Sequence, residues 1–208
     1  MKKIKLKGGV TLSVPESYSE LTMRMFVKIQ KSGVDDEANF LSAICGISRE
    51  EFVKLKDTNV DVKIYNEIGW FAEQTKFDEL KHPSYLMVNN KKIKIPKDIG
   101  YETYEQKLAV TNHLSDKLVD SEVMAYMIAV YLYPKYYEDD FNGDDVENFM
   151  ELHILDLRFV DLYPIGTFFL QSLREFLNSK IAFYQKNTNR TNSEQVLKNS
   201  KSLRNLKR

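Results

Sequence analysis

Asp161-Leu-Tyr-Pro-Ile-Gly-Thr-Phe-Phe-Leu-Gln-Ser-Leu-Arg-Glu-Phe-Leu-Asn-Ser-Lys-Ile-Ala-Phe-Tyr184 reads as the helix around which the chain is organised. Pro164 suits a first helical position, where its missing N–H would be unpaired anyway and its fixed φ is already helical. Phe169, Leu173, Phe176, Leu177 and Phe183 recur mostly at three- and four-residue steps, flanked by Phe168, Leu170 and Ile181. That spacing makes a wide, aromatic-rich stripe, the signature of a core helix. It speaks of assembly and carries no chemistry.

Outward from this stretch, the expected fold is α+β and mainly α-helical, a helical core with two short β-hairpins forming a small antiparallel sheet. The first hairpin is expected near residues 2–14, where Ile4 and Leu6, then Val10, Leu12 and Val14, alternate with polar residues across Gly8-Gly9; a period of two and paired glycines both follow from a two-residue turn. Tyr85-Leu-Met-Val-Asn-Asn-Lys-Lys-Ile-Lys-Ile-Pro96 repeats the device near residues 85–95. Isolated hairpins are marginal in water, so the two are expected to pair.

Helices are expected from Thr22 to Ser32, closed by Gly33, and from Asp35 or Asp36 to Cys45, closed by Gly46. Ser48-Arg-Glu-Glu51 and Thr103-Tyr-Glu-Gln106 are capping-box patterns, each opening a helix, the second with Leu108 and Leu114 inward. Thr58 or Asn59 caps a helix with Val60, Ile64, Ile68 and Phe71 in register and Trp70 beside them, in the core. Ser121 caps a helix with Met124, Met127, Ile128, Tyr131 and Leu132 inward and Pro134 beyond its end. Asp144 or Asp145 starts another through Val146, Phe149, Met150, His153 and Ile154.

A length of 208 residues suits one domain, taken as 1–186, followed by a basic C-terminal arm, 187–208. Thirty basic and thirty acidic residues cancel, so no overall field draws the molecule to nucleic acid or to an anionic membrane. The arm is different: Arg190, Lys198, Lys201, Arg204, Lys207 and Arg208 face only Glu194, a net of +5. With Val196, Leu197, Leu203 and Leu206 as a thin apolar stripe, it suits docking to a neighbouring subunit or an acidic groove. Clustered Lys and Arg also admit nucleic acid as an alternative partner, although the arm has no aromatic residue for base stacking.

One cysteine, Cys45, excludes an intrachain disulfide framework, favours a reducing compartment and reads as a buried thiol. The basic opening Met-Lys-Lys-Ile-Lys-Leu-Lys lacks the apolar run of a signal peptide, and Val123 to Tyr133 is too short to span a bilayer. No glycine-rich phosphate loop is present, and His82, His113 and His153 stand far apart without zinc-ligand spacing. The acidic stretch Glu138 to Glu147 fails as an EF-hand loop: with Gly143 at position 6, Phe149 falls at position 12, where a bidentate glutamate is required. No cofactor, metal or catalytic residue is expected, and the protein is read as non-enzymatic. The aromatic content around the acidic loop, Tyr131, Tyr133, Tyr136, Tyr137 and Phe141, with Asp139 and Asp140, suits a protein-contact surface.

KLKGGVTLSVPESYSELT from Lys5, KIKIPKDIGYETYEQ from Lys92, AVYLYP from Ala129, FNGDD from Phe141 and DLYPIGTFFLQSL from Asp161 together resemble small virion and tail-assembly proteins of tailed bacteriophages of Bacteroidetes-type hosts. The resemblance implies a structural subunit of a head–tail connector, neck or tail ring, located in the virion and assembled in the host cytoplasm. Its partners would be other virion proteins, the portal or adjacent tail rings, in a homo-oligomeric ring with heterologous contacts. The hairpin followed by short helices, including FLSAICGISREEF from Phe40, also looks like tail assembly chaperones, which implies a cytosolic alternative with exposed apolar grooves.

Overall fold

The computed structural model describes residues 1–33, 36–72, 77–95, 103–113, 119–173 and 175. By its contacts the chain divides into two compact units, Met1–Phe169 and Leu170–Arg208. The arm residues Arg190, Lys198, Lys201, Leu203, Arg204, Leu206, Lys207 and Arg208, and the end of the quoted stretch from Phe176 onward, lie outside the described residues.

The mainly helical α+β expectation holds. Strands β1 (Lys2–Lys5) and β2 (Thr11–Val14) form one antiparallel hairpin, and β3 (Tyr85–Val88) and β4 (Lys91–Lys94) form another. The expected pairing of the hairpins into one sheet is corrected: they are two separate two-stranded sheets. Each is instead supported by packing, since Leu12, Val14, Leu86, Val88 and Ile93 are all buried. The first turn is also longer than two residues. Leu6 donates to the Val10 carbonyl at 2.8 Å, which leaves Lys7, Gly8 and Gly9 as the loop, with both glycines at positive φ. The second turn is a two-residue one, Asn89-Asn90, both left-handed.

Helices α1 (Met23–Ser32), α2 (Glu37–Ile44) and α3 (Arg49–Val53) lie where the sequence places them; Thr22 and Asp36 prove to be the side-chain caps of the first two, and the reciprocal Ser48–Glu51 box opens the third as read. The N-terminus of α1 gains more from elsewhere in the chain: Met23 N–H donates to the Leu157 carbonyl at 2.9 Å and Arg24 N–H to that of Leu155 at 2.7 Å. Those are two of the donors that a helix start leaves without an internal acceptor. The Arg24 guanidinium then clamps Glu151 and Asp156, each at 2.7 Å.

Helix α4 (Val60–Tyr65) is shorter than the apolar register suggests; Trp70 and Phe71 belong to a 3-10 turn, Gly69–Ala72. Trp70 is half-buried there, donating Nε1–H to the Pro15 carbonyl at 3.0 Å with its ring edge-on to Tyr18. Asn59 sits at the cap position of α4 without a capping side chain. Buried Asp57 organises this end of the helix, accepting from the N–H groups of Asn59 and Lys7 at 3.2 and 3.0 Å and from Lys63 Nζ at 2.7 Å.

Helix α5 (Tyr104–His113) opens with the expected Thr103–Gln106 box, but Leu108 is exposed, and the inward residues are Gln106 and Val110. Leu114 lies outside the described residues. Helix α6 (Asp120–Tyr137) is the true centre: every residue from Val123 to Tyr133 is buried, as in a helix packed on all sides. It starts before Ser121. That residue's N–H is satisfied by Gln30 Oε1 of α1 at 3.1 Å, so the start needs no local side-chain cap. It also runs past Pro134 to Tyr137.

Helix α7 (Val146–Phe149) passes directly into a π-helical turn, Met150–Ile154, in which Leu155 N–H reaches the Met150 carbonyl at 3.0 Å. Helix α8, residues 159–173, starts five residues ahead of Pro164, which corrects that boundary too. Arg158 makes the earlier start: its carbonyl accepts from Asp161 and Leu162, and its guanidinium grips the Asp161 carboxylate at 2.7 and 3.0 Å. Phe159, Leu162, Ile165 and Phe169 are buried, with Phe159 stacked on Phe26 at 3.8 Å between centroids. Gly166 lets α8 press on α6, since a Cβ there would lie 2.7 Å from Met124 Cβ.

Candidate interaction surfaces

The C-terminal end of α6, the acidic loop, the π-turn and the tip of the β3–β4 hairpin converge on Phe149. Its buried ring lies 5.3 Å from Tyr136, 5.7 Å from Tyr133 and Tyr137, and 5.0 Å from His153, centroid to centroid. His153 is held from two sides. Its Nδ1 lies 2.7 Å from the Asn89 amide nitrogen and its Nε2 lies 3.4 Å from the Tyr137 hydroxyl. An Asn amide nitrogen can only donate, which makes Nδ1 the acceptor and leaves the proton on Nε2. Burial lowers the His153 pKa and favours this neutral form.

Helix α6 ends as Glu138 turns left-handed and the Pro134 carbonyl accepts from the N–H groups that follow. Lys91 crosses from the hairpin, donating to the Tyr136 carbonyl and to Glu138 Oε1, both at 2.7 Å. That ion pair lowers the Glu138 pKa. In the loop, Asn142 accepts from Asp144 N–H at 3.1 Å and donates to Asp145 at 2.7 Å, so an asparagine caps the 3-10 turn before α7.

Of the seven body residues read as a contact surface, Tyr137, Asp139 and Asp140 are exposed, Tyr136 and Phe141 are half-buried, and Tyr131 and Tyr133 are buried in α6, which corrects the reading at those two. Tyr136 serves the fold, packed on Phe149 and His153; Phe141 lies edge-on to Tyr133 at 6.1 Å. Leu152 of the π-turn, 60% exposed, is an apolar surface residue that the sequence reading passed over. So are Asn89 and His153 as a pair: 64 residues separate them, and neither lies in a motif.

A second surface lies along β3. A groove of about 450 Å³ is walled on one side by Leu80, Lys81, Pro83, Tyr85, Leu86 and Met87 and on the other by Arg158 and the start of α8, including Val160 and Pro164. Tyr85 and Met87 are about half exposed.

A third, shallower pocket of about 370 Å³ lies between α5 and α7, where ionisable side chains converge. His113 stacks flat on Tyr126 at 3.5 Å, and its Nδ1 is 3.8 Å from Glu147; Glu105, which also lines the pocket, accepts from Gly143 N–H at 3.4 Å. Burial lowers the His113 pKa, against the opposing pull of Glu147 and Glu122. Among the described residues no group of three His, Cys, Asp or Glu side chains is placed to hold a metal ion, and no helix is long and apolar enough to cross a membrane.

Comparison with known protein families, with curated proteins and with solved structures gives no match to the chain. The functional reading therefore rests on these surfaces and on the sequence.

Proposed function

We propose that the protein is a non-enzymatic structural subunit of a bacteriophage particle, a component of a head–tail connector, neck or tail ring that binds neighbouring virion proteins. The observation that carries this reading is the end of α6. Exposed Tyr137 packs on Phe149 and His153, exposed Leu152 precedes His153 in the π-turn, and exposed Asp139 and Asp140 follow Tyr137. Aromatic anchors with a charged rim are the usual anatomy of a protein contact. The basic residues of 187–208 supply the opposite charge that a heterologous ring contact needs.

Mass spectrometry of purified particles is the test. Stoichiometric recovery of the chain in the particle supports the structural role, and its absence from finished particles removes it. The groove beside β3 favours one alternative, a cytosolic tail assembly chaperone, because a chaperone must offer an apolar recess to a client. Under that reading the chain would co-purify with an unassembled tail protein and be missing from the particle.

A further inference from the structure

The groove beside β3 is lined by three residues of that strand and by none of β4, so it opens along the strand's other edge, which is unpaired among the described residues. The register settles which backbone groups face it. Val88 and Lys91 flank the two-residue turn as a hydrogen-bonded pair, and Ile95 N–H donates to the Ser84 carbonyl at 3.0 Å. Antiparallel ladders alternate bonded and non-bonded pairs. Tyr85 and Met87 therefore turn their N–H and C=O groups outward, into the groove. On the opposite wall Pro164 has no N–H to offer the Val160 carbonyl four residues earlier, which leaves that acceptor without its helical donor.

The charged residues across the hairpin from β3 are lysines. Lys92 and Lys94 stand across from Met87 and Tyr85, and Lys81 lines the groove. All three lysines are exposed, and the Lys92 ammonium lies 4.2 Å over the Tyr85 ring. The acid on the far wall, Asp161, is already occupied by Arg158.

We propose that the groove-side edge of β3 is a docking site for an extended, acidic segment of another protein chain. The segment adds as a third strand, exchanges backbone hydrogen bonds with Tyr85 and Met87, places alternate apolar side chains on the Leu86 face of the hairpin, and leaves the intervening side chains on the face that Tyr85 and Met87 share with Lys92 and Lys94. Strand addition takes affinity from the main chain and selectivity from the pockets beside it. At ~3.3 Å per residue, the four residues of β3 match about four residues of ligand. The lysines select carboxylates at the intervening positions and repel a basic segment such as this chain's own residues 187–208. The site does not depend on the virion reading, because binding is measured on the isolated full-length chain and not on particles.

The test uses two fluorescein-labelled octapeptides that share valine at alternate positions and carry either glutamate or lysine between, titrated against the chain by fluorescence anisotropy. The glutamate peptide is expected to bind and the lysine peptide to bind at least about tenfold more weakly. Met87→Pro deletes an outward N–H while sparing the hairpin's own bonds, because an edge strand tolerates proline where its N–H is unpaired. It is expected to weaken glutamate-peptide binding about tenfold, with circular dichroism unchanged. Should Met87→Pro fail to fold, Lys81→Glu with Lys94→Glu is expected to reverse the preference between the peptides. No binding by either peptide, equal binding of both, or undiminished binding by a folded Met87→Pro protein would overturn the proposal. So would displacement of the glutamate peptide by a dT oligonucleotide that binds the folded Met87→Pro variant as tightly as the parent, since that marks a charge surface for nucleic acid.

Discussion

The Gln106 side-chain amide donates to the Val130 carbonyl at 3.4 Å, and that carbonyl is the one left open by Pro134 four residues further along α6. A proline inside a helix removes one backbone bond and crowds the preceding turn. Gln106 fills the vacancy from α5 while its Oε1 accepts from Thr103 N–H in the capping box, so one buried side chain serves two helices. Gln106→Ala is predicted to destabilise the protein by about 1–3 kcal/mol, by leaving a buried carbonyl unpaired. Pro134→Ala restores the N–H and is predicted to stabilise by up to ~3 kcal/mol. The two changes should not add: in the Pro134→Ala background, the loss at Gln106 shrinks towards that of the capping box alone. A urea-denaturation double-mutant cycle reads this coupling, and strict additivity would show that Gln106 does not serve the proline's carbonyl.

That bond also marks where sequence reasoning stops. Caps are legible because both partners lie within four residues; Ser48 with Glu51, and Thr103 with Gln106, form as read. Pro134 as a helix boundary is a local inference of the same kind, but it is overruled by a group outside the local window, Gln106 being 24 residues from Val130, whereas Pro164 is overtaken locally by Arg158 and Asp161. Ser121 fails as a cap for the same reason, with Gln30 arriving from 91 residues away. Asp139 and Asp140 are legible as surface because they sit in a polar, unpatterned loop, and Tyr137 because it closes α6 beside that loop. The π-turn beneath them has no sequence signature, so Leu152 and the Asn89–His153 contact are not.

The approach of Gly166 to Met124 makes a steric prediction. Gly166→Ala would place its Cβ 2.7–2.9 Å from Met124 Cβ, Cγ and Sδ. Overpacking of this kind is predicted to destabilise by about 1–3 kcal/mol, although alanine is the better helix former. Met124→Ala should give only partial relief, since the Met124 Cβ itself stays in the way. A melting temperature for Gly166→Ala at or above the parent's would mean that α6 and α8 are not in such close contact.

Asp57 sets an acid limit. The Lys63 ammonium, foremost, and the Lys7 N–H hold its carboxyl down at about pKa 2. An aspartate in the unfolded chain titrates near ~3.9, so the folded state binds this proton less readily. The stabilisation is therefore complete above roughly pH 4–5 and is lost as pH falls through about 4 towards 2. Stability measured against pH should show this loss in the parent chain and a flatter acid limb in Asp57→Asn, which has no charge to lose. Identical acid limbs would remove Asp57 as the cause.

His153 makes the corresponding prediction near neutrality. Its folded pKa is lowered by burial, so the unfolded chain binds the proton more readily and stability falls as pH drops below the unfolded value of ~6.5. Protonation would also turn Nδ1 from acceptor to donor, facing the Asn89 amide nitrogen 2.7 Å away. Asn89→Asp places an acceptor there and preserves a residue type tolerant of the left-handed turn. An NMR titration should find the His153 pKa below ~6.5 in the parent and raised in Asn89→Asp, because a carboxylate favours the imidazolium. If the two proteins titrate alike, the hairpin tip does not govern His153.

Cys45 tests the N-terminal packing. The thiol sits at the end of α2 with 7% exposure, and burial pushes its pKa up to about 12. The thiolate is the reactive form, so the folded chain holds almost none of it at pH 8. A disulfide reagent is predicted to react only as fast as the α2–α3 region opens, with the rate rising in urea as structure is lost. Opening that region exposes Leu41, Ile44 and Phe52 along with the thiol, so Leu41→Ala should speed the reaction in native buffer. Rapid labelling of the parent in native buffer, unaffected by Leu41→Ala, would place Cys45 at the surface and contradict the packing of α2.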